Sequence, residues 1–236
     1  MKKSRIATLI VFFVLIPLTL IVGSRLSGRA FYVTSTLVIV ELLIPFFLAF
    51  EGRRPQAREL MELAVMCALA VAGRVAIPIP SFKAIFGIIM IAGIAFGPES
   101  GFLVGAISAL ASNFFYSQGP YTPWQMMAYG AGGMLAGFVF AEGRLPRKPV
   151  VMGIFGFLAV TFFVGPLLDT CSVFLVMSRI TLKGAMAFYI SGFPVNLRQA
   201  VATAIVLLVL GKPLLEKLDR IKTKYGILDD EGRKEA

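Results

Sequence analysis

The chain has no histidine. That excludes histidine general-base chemistry, histidine metal sites and histidine proton relays together. Its two cysteines, Cys67 and Cys171, are too few for a cysteine-only zinc site and read as small core residues in apolar surroundings. No match to G-x-x-x-x-G-K-[ST] is present, so the chain has no phosphate loop with which to draw on ATP, and no resident cofactor is expected. Charge is scarce: 15% of the 236 residues are charged, where about a quarter is usual for a globular chain. Apolar residues fill the space, at 58% of the chain with a mean hydropathy of +0.84. Residues 6–24, 84–98, 100–141 and 149–168 carry no charge at all. Runs of about 20 apolar residues are what a helix needs to cross the hydrocarbon core. The composition predicts an all-α integral membrane protein.

Eight helical runs follow from the spacing of charges, prolines and glycines. They are Ile6–Val22, Phe31–Phe50, Leu60–Ile77, Ala84–Phe96, Gly101–Phe115, Trp124–Ala141, Val150–Leu168 and a last run from Pro194 to Leu215. Residues 169–193 are mixed and read as short helices at one membrane surface. The expected organisation is an extension of two transmembrane helices in 1–56, a six-helix core in 57–215 and a charged tail in 216–236. With the N-terminus inside, 16 of the 23 Lys and Arg fall in inward segments, which predicts that both termini are cytoplasmic. The formal net charge of +10 is then a topology signal and an attraction to anionic lipid headgroups, and no nucleic-acid partner is expected.

Asn113–Gln125 is the most informative stretch. It mixes planar aromatics, amides and rigid turn residues: Asn113, Gln118, Tyr121, Trp124 and Gln125 among them. Such a mixture suits a pocket for a flat polar ligand. It equally suits an aromatic belt at the membrane interface, and for Gln118, Trp124 and Gln125 both readings stand. Gly101, Gly105, Ala109 and Asn113 recur every four residues, as do Gly133 and Gly137. Small residues at that spacing let membrane helices approach closely. Arg74 and Glu41 are the charges deepest in apolar runs, and each calls for a partner or a wet cavity. A pairing between them is open, as is contact of Arg74 with a ligand anion. Lys83, Asp169 and Asn196 lie near the outer helix ends, with Arg179 and Lys183 between the last two helices. The last two are either solvated surface or a grip on an anionic group. Ala64, Ala68 and Ala72 share one smooth helix face, suited to internal packing or to docking a helix of another protein.

Taken together, several segments resemble the substrate-binding S components of energy-coupling factor (ECF) vitamin transporters. They are Ala57-Arg58-Glu59-Leu60 leading into the alanine helix, Phe82-Lys83, Phe96–Gly105, Asn113–Gln125 and Gly192–Leu197. The resemblance covers roughly residues 57–218. It implies a six-helix bundle in the cell membrane that holds a vitamin near the outer face. The expected partners are a transmembrane coupling protein, docked on Ala64, Ala68 and Ala72, and two ATPase subunits. Outward loops at Pro78–Lys83, Ser117–Pro123 and Asp169–Phe193 would gate the pocket. The two N-terminal helices are extra to this pattern and resemble an extension of members assigned to cobalamin. Cobalamin is thus the first expectation, with riboflavin or a cobalamin-related precursor second. Two other classes compete. An intramembrane enzyme would need clustered acids or a metal site, and Glu41, Glu62 and Asp169 sit at three different depths. A self-sufficient secondary transporter would need a midplane ion site and usually internal repeats.

Overall fold

The computed structural model describes residues 57–177 and 180–225, together with Leu15, Leu18, Thr19, Leu37, Val40 and Glu41. The described part is helical throughout. In chain order α1 is Ala57–Val75, α2 Ile85–Phe96, α3 Pro98–Tyr116, α4 Thr122–Phe140, α5 Pro149–Val176 and α6 Leu182–Tyr225. They run up and down. One end of the bundle gathers the end of α1, the end of α3 and the start of α4; we call it the polar end. The basic end gathers the α4–α5 loop and the last turns of α6.

The arrangement is built around α2. Its 12 residues contain no polar side chain, and every one of them is buried. A helix apolar on all sides has no face to offer water and must be sheathed. At 1.5 Å per residue α2 is only about 18 Å long, short of the roughly 30 Å hydrocarbon core. It is therefore an inner strut rather than one of eight equivalent crossings. By length and composition alone, Pro149–Val176 and Leu182–Lys224 are long and apolar enough to cross a membrane. The outer surface carries large apolar side chains, including Phe114, Phe162, Ile190 and Val209, which lipid accepts and water does not.

Three helices meet through glycine. A Cβ placed on Gly101 of α3 would stand 2.5 Å from the Gly133 carbonyl oxygen of α4 and 2.6 Å from the Gly93 Cα of α2. Gly105, Gly130 and Gly137 continue the seam on α3 and α4. The four-residue stripe is thus a packing device, and Asn113, at its far end, is fully buried. Gly97 separates α2 from α3 with φ of 94°, a conformation that disfavours any side chain. Pro98 then opens α3, where a missing N–H costs nothing.

Two expectations for the C-terminal third change. Residues 169–193 do not form short surface helices. The seventh run continues to Val176, and the last helix begins at Leu182, three turns before Pro194. The continuation passes a π-turn at Val160–Val164. The wider turn accommodates Pro166, which cannot donate to the carbonyl four residues back. Pro194, favourable as a helix start, instead lies inside α6 with Pro213; membrane helices tolerate such prolines where neighbours re-satisfy the backbone. Beyond Leu215, α6 stays helical to Tyr225 and is tied to the basic end. Lys222 donates to the Ala95 carbonyl (2.6 Å) and pairs with Asp219 (2.9 Å). Arg147 bonds the Ile94 carbonyl (3.2 Å) and Asp219 (3.3 Å). Both cations meet the carbonyl end of α2, where the helix dipole favours them. The two N-terminal helices, Arg179 and residues 226–236 lie outside the described residues, apart from the six positions named above. Among those, Thr19 donates to Glu41 (2.8 Å). Glu41 therefore has Thr19, and not Arg74, as its hydrogen-bond partner.

Gly101→Ala should drive a methyl group into the backbone of α2 and α4, neither of which can swing aside as a side chain can. The expected loss is about 1–3 kcal/mol of stability, read as a lower unfolding midpoint in detergent. Phe138→Ala, at a lipid-facing position, should leave that midpoint nearly unchanged. Equal midpoints for Gly101→Ala and the parent would contradict the seam.

Candidate functional site

At the polar end a half-buried arginine organises a chain of hydrogen bonds. Arg74, in the last turn of α1, donates from one terminal nitrogen to Ser112 and to Asn113 Oδ1 (2.8 Å) on α3. Its guanidinium also lies over the rings of Tyr116 (4.9 Å) and Tyr129 (5.7 Å). An arginine has donors only, so it selects the oxygen of Asn113. That choice leaves Asn113 Nδ2 to donate to Thr122 (3.1 Å) and to Gln125 Oε1 (2.8 Å) on α4. Thr122 uses its whole hydroxyl. It accepts from Asn113 and the Gly119 amide, and donates to Gln118 Oε1 (2.9 Å). Gln118 Nε2 closes the chain on the Leu110 carbonyl (2.9 Å). Ser117 ends α3 with φ of 77°, a strained turn for a residue with a side chain. Its carbonyl takes the Tyr121 hydroxyl (2.7 Å).

The sequence-identified residues fall into neighbouring groups. Asn113, Gln118 and Gln125 are together, joined by Arg74, Ser112 and Thr122. Lys83 stands beside them in the α1–α2 loop, donating to the Ile77 carbonyl with its ammonium 5.7 Å from the Tyr116 ring. Gln199 of α6 holds that loop through the Lys83 carbonyl (2.7 Å). Trp124 points elsewhere, into the α4–α5 interface. It is 5% exposed, stacked on Phe174 (5.5 Å, 25°) and packed with Cys171 and Tyr121. Its indole N–H is buried without a hydrogen-bond partner among the described residues. Asp169 and Asn196 form a third group, bonded to each other across α5 and α6 (2.7 Å), where Gly192 leaves room for the carboxylate. Ala64, Ala68 and Ala72 lie on the exposed face of α1, while Leu63, Met66, Cys67 and Ala70 face inward. Beside them α1 and α6 straddle α2 and leave an open apolar groove of about 240 Å³, lined by Leu69, Ile88, Leu210, Pro213, Leu214 and Lys217.

What remains unspent is chemically one-sided. On the α1–α3–α4 side, two Arg74 nitrogens, the Lys83 ammonium and Gln125 Nε2 keep donor capacity among the described residues, and Trp124 Nε1 does so at the α4–α5 interface. Every one is an N–H. The amide oxygens of Asn113, Gln118 and Gln125 each already accept a hydrogen bond from the network. Asp169 keeps its second oxygen on the α5–α6 side. The sequence pointed to Arg74 as a deep charge, open to pairing with Glu41 or to contact with a ligand anion, without showing its bonds to Ser112 and Asn113. Ser112, Thr122 and Phe174 carried no signal that set them apart from ordinary helix residues. No group of three or more Cys, Asp or Glu able to hold a metal occurs among the described residues.

Asn113→Leu should remove the central link and strand Arg74 and Gln125 in a low-dielectric site. The expected cost is about 1–3 kcal/mol, visible as a lower unfolding midpoint. Phe114→Leu next door, on the lipid side, should change little.

Comparison with known proteins gives one match. A family model described as "ECF-type riboflavin transporter, S component" covers residues 55–216. No curated protein and no solved structure matches the chain. The matched region takes in all of α1 to α5, most of α6 and every residue of the polar-end network. The chain therefore belongs to the family of ECF-type riboflavin transporter S components, membrane-embedded substrate-binding subunits of transporters rather than enzymes.

Proposed function

We propose that this chain captures a flavin at the polar end and delivers it inward with a coupling protein and two ATPase subunits. One observation supports the choice of ligand chemistry: Arg74, Lys83, Gln125 and Trp124 keep unspent N–H groups, while the amide oxygens around them already accept hydrogen bonds. An isoalloxazine ring is flat and presents ring nitrogens and two carbonyl oxygens along one edge. Its ring N–H would meet the remaining oxygen of Asp169 across the site. The matching family is the riboflavin type, which favours a flavin over the cobalamin expected from the N-terminal extension. The substrate-contacting set is Lys83, Gln125, Trp124, Asp169 and Asn196. Asn113, Gln118 and Tyr121 act by holding α3, the loop and α4 in register.

The polar end faces outward in this reading, with both termini cytoplasmic. The basic residues of the α4–α5 loop and of α6 then lie inside, as the positive-inside rule requires. The exposed alanine face of α1 is the docking surface for the coupling protein. Arg74 and that face belong to one helix, so ligand capture and docking share a rigid element. Without a nucleotide loop of its own, the chain binds but does not pump.

Riboflavin titration followed by flavin fluorescence tests the binding step. Trp124→Phe keeps an aromatic ring beside Phe174 and removes the N–H together with part of the indole, so affinity should fall at least about fivefold, the worth of one hydrogen bond of about 1 kcal/mol. Unchanged affinity would remove Trp124 from the site. Liposomes holding this chain alone should bind riboflavin without accumulating it; accumulation would overturn the proposal. Ala68→Trp should spare riboflavin binding and abolish uptake by the assembled transporter. Uptake at the parental rate would free the alanine face of that role.

A further inference from the structure

We infer that the ligand carries an oxyanion group, and that Arg74 and Lys83 hold it together. The inference rests on the flavin-capture reading above and adds to it the charge of the substrate. Arg74 and Lys83 approach the same ring: the guanidinium carbon is 4.9 Å and the ammonium 5.7 Å from the centre of Tyr116. Two like charges beside one ring repel, and the ring quadrupole offsets only part of that cost. An anion between them would recover it.

No acid of the described residues does so. The ion pairs at Arg147, Lys212 and Lys222 all belong to the basic end of the bundle. Asp169, the acid at the polar end, is engaged by Asn196 on α6. Arg74 meets only neutral groups: Ser112, Asn113, Tyr116 and Tyr129. Its two protein hydrogen bonds leave from a single nitrogen, so the other side of the guanidinium fork keeps the geometry that suits an oxyanion. The fork is also pre-aimed. Its own helix carbonyl accepts the Tyr116 hydroxyl (3.0 Å), and Asn113 and Ser112 hold its inner edge. Lys83 sits on the α1–α2 loop, its ammonium donating to the Ile77 carbonyl and its own carbonyl held by Gln199.

The test compares two flavins that differ in one group: riboflavin and riboflavin 5′-phosphate. Both are titrated against the purified full chain in neutral detergent, by quenching of flavin fluorescence. The phosphate ester should bind at least about tenfold more tightly at low salt, and its advantage should shrink as salt screens the pair. Arg74→Gln and Lys83→Gln should each reduce that advantage, Arg74→Gln the more. Lys83→Gln alters a loop side chain outside the buried network, so it reports even if Arg74→Gln fails to fold. Equal binding, or tighter binding of riboflavin, would overturn the inference and leave the flavin reading standing. Binding of neither flavin would overturn both. Addition of phosphatidylglycerol, with phosphatidylcholine as control, separates a lipid headgroup from a soluble ligand. Displacement of the phosphate ester by phosphatidylglycerol alone would assign the pair to lipid and overturn the inference.

Discussion

Backbone-to-backbone approach along the glycine seam is the constraint on which the rest depends. In a bilayer, apolar side chains gain little by leaving lipid for one another, so tight packing has to hold the helices together. Gly93, Gly101 and Gly133 let α2, α3 and α4 meet at distances that no Cβ would allow. With α2 locked into this trio, a 12-residue helix can serve as the inner strut of a much taller bundle. α1, α5 and α6 then have something to pack on. The same seam sets the height at which Asn113 and Gln125 face each other, and so it places the site.

The second organising element is a single donor-only side chain. Arg74 dictates which way Asn113 turns, Asn113 dictates Gln125, and the polarity passes along the chain. A network begun by an arginine consumes acceptors and leaves donors. This is why a site rich in amides, which each carry both functions, ends up seeking an electron-rich partner. The cost of a guanidinium inside a helical span is met by two hydrogen bonds and two tyrosine rings.

The helical class and most core helices were legible in the sequence because uncharged runs and their boundaries are written in residue type. The glycine stripe was legible too, since a four-residue spacing has one geometric meaning on a helix. Residues 169–193 were misread because the uncharged run stops at Asp169 and Pro194 carries a strong helix-start signal, while α5 continues to Val176 and α6 absorbs Pro194 in its interior. The site was half legible. Asn113, Gln118 and Gln125 belong to one loop and its flanks, so their sequence neighbourhood predicted their spatial one. Their joint dependence on Arg74, 39 positions from Asn113, is a tertiary fact that no local pattern encodes. The burial of Trp124 against Phe174 has the same origin. The family match adds what neither reading supplies alone, a transport role for a bundle whose own residues show a cage but no motor.

A chain that captures a flavin tightly should carry some of it through purification. The most direct measurement is the identity of the small molecule released when the freshly purified protein is denatured, read by absorbance and mass spectrometry. The account predicts a flavin spectrum and a flavin mass in the released fraction. A corrin in its place would contradict it.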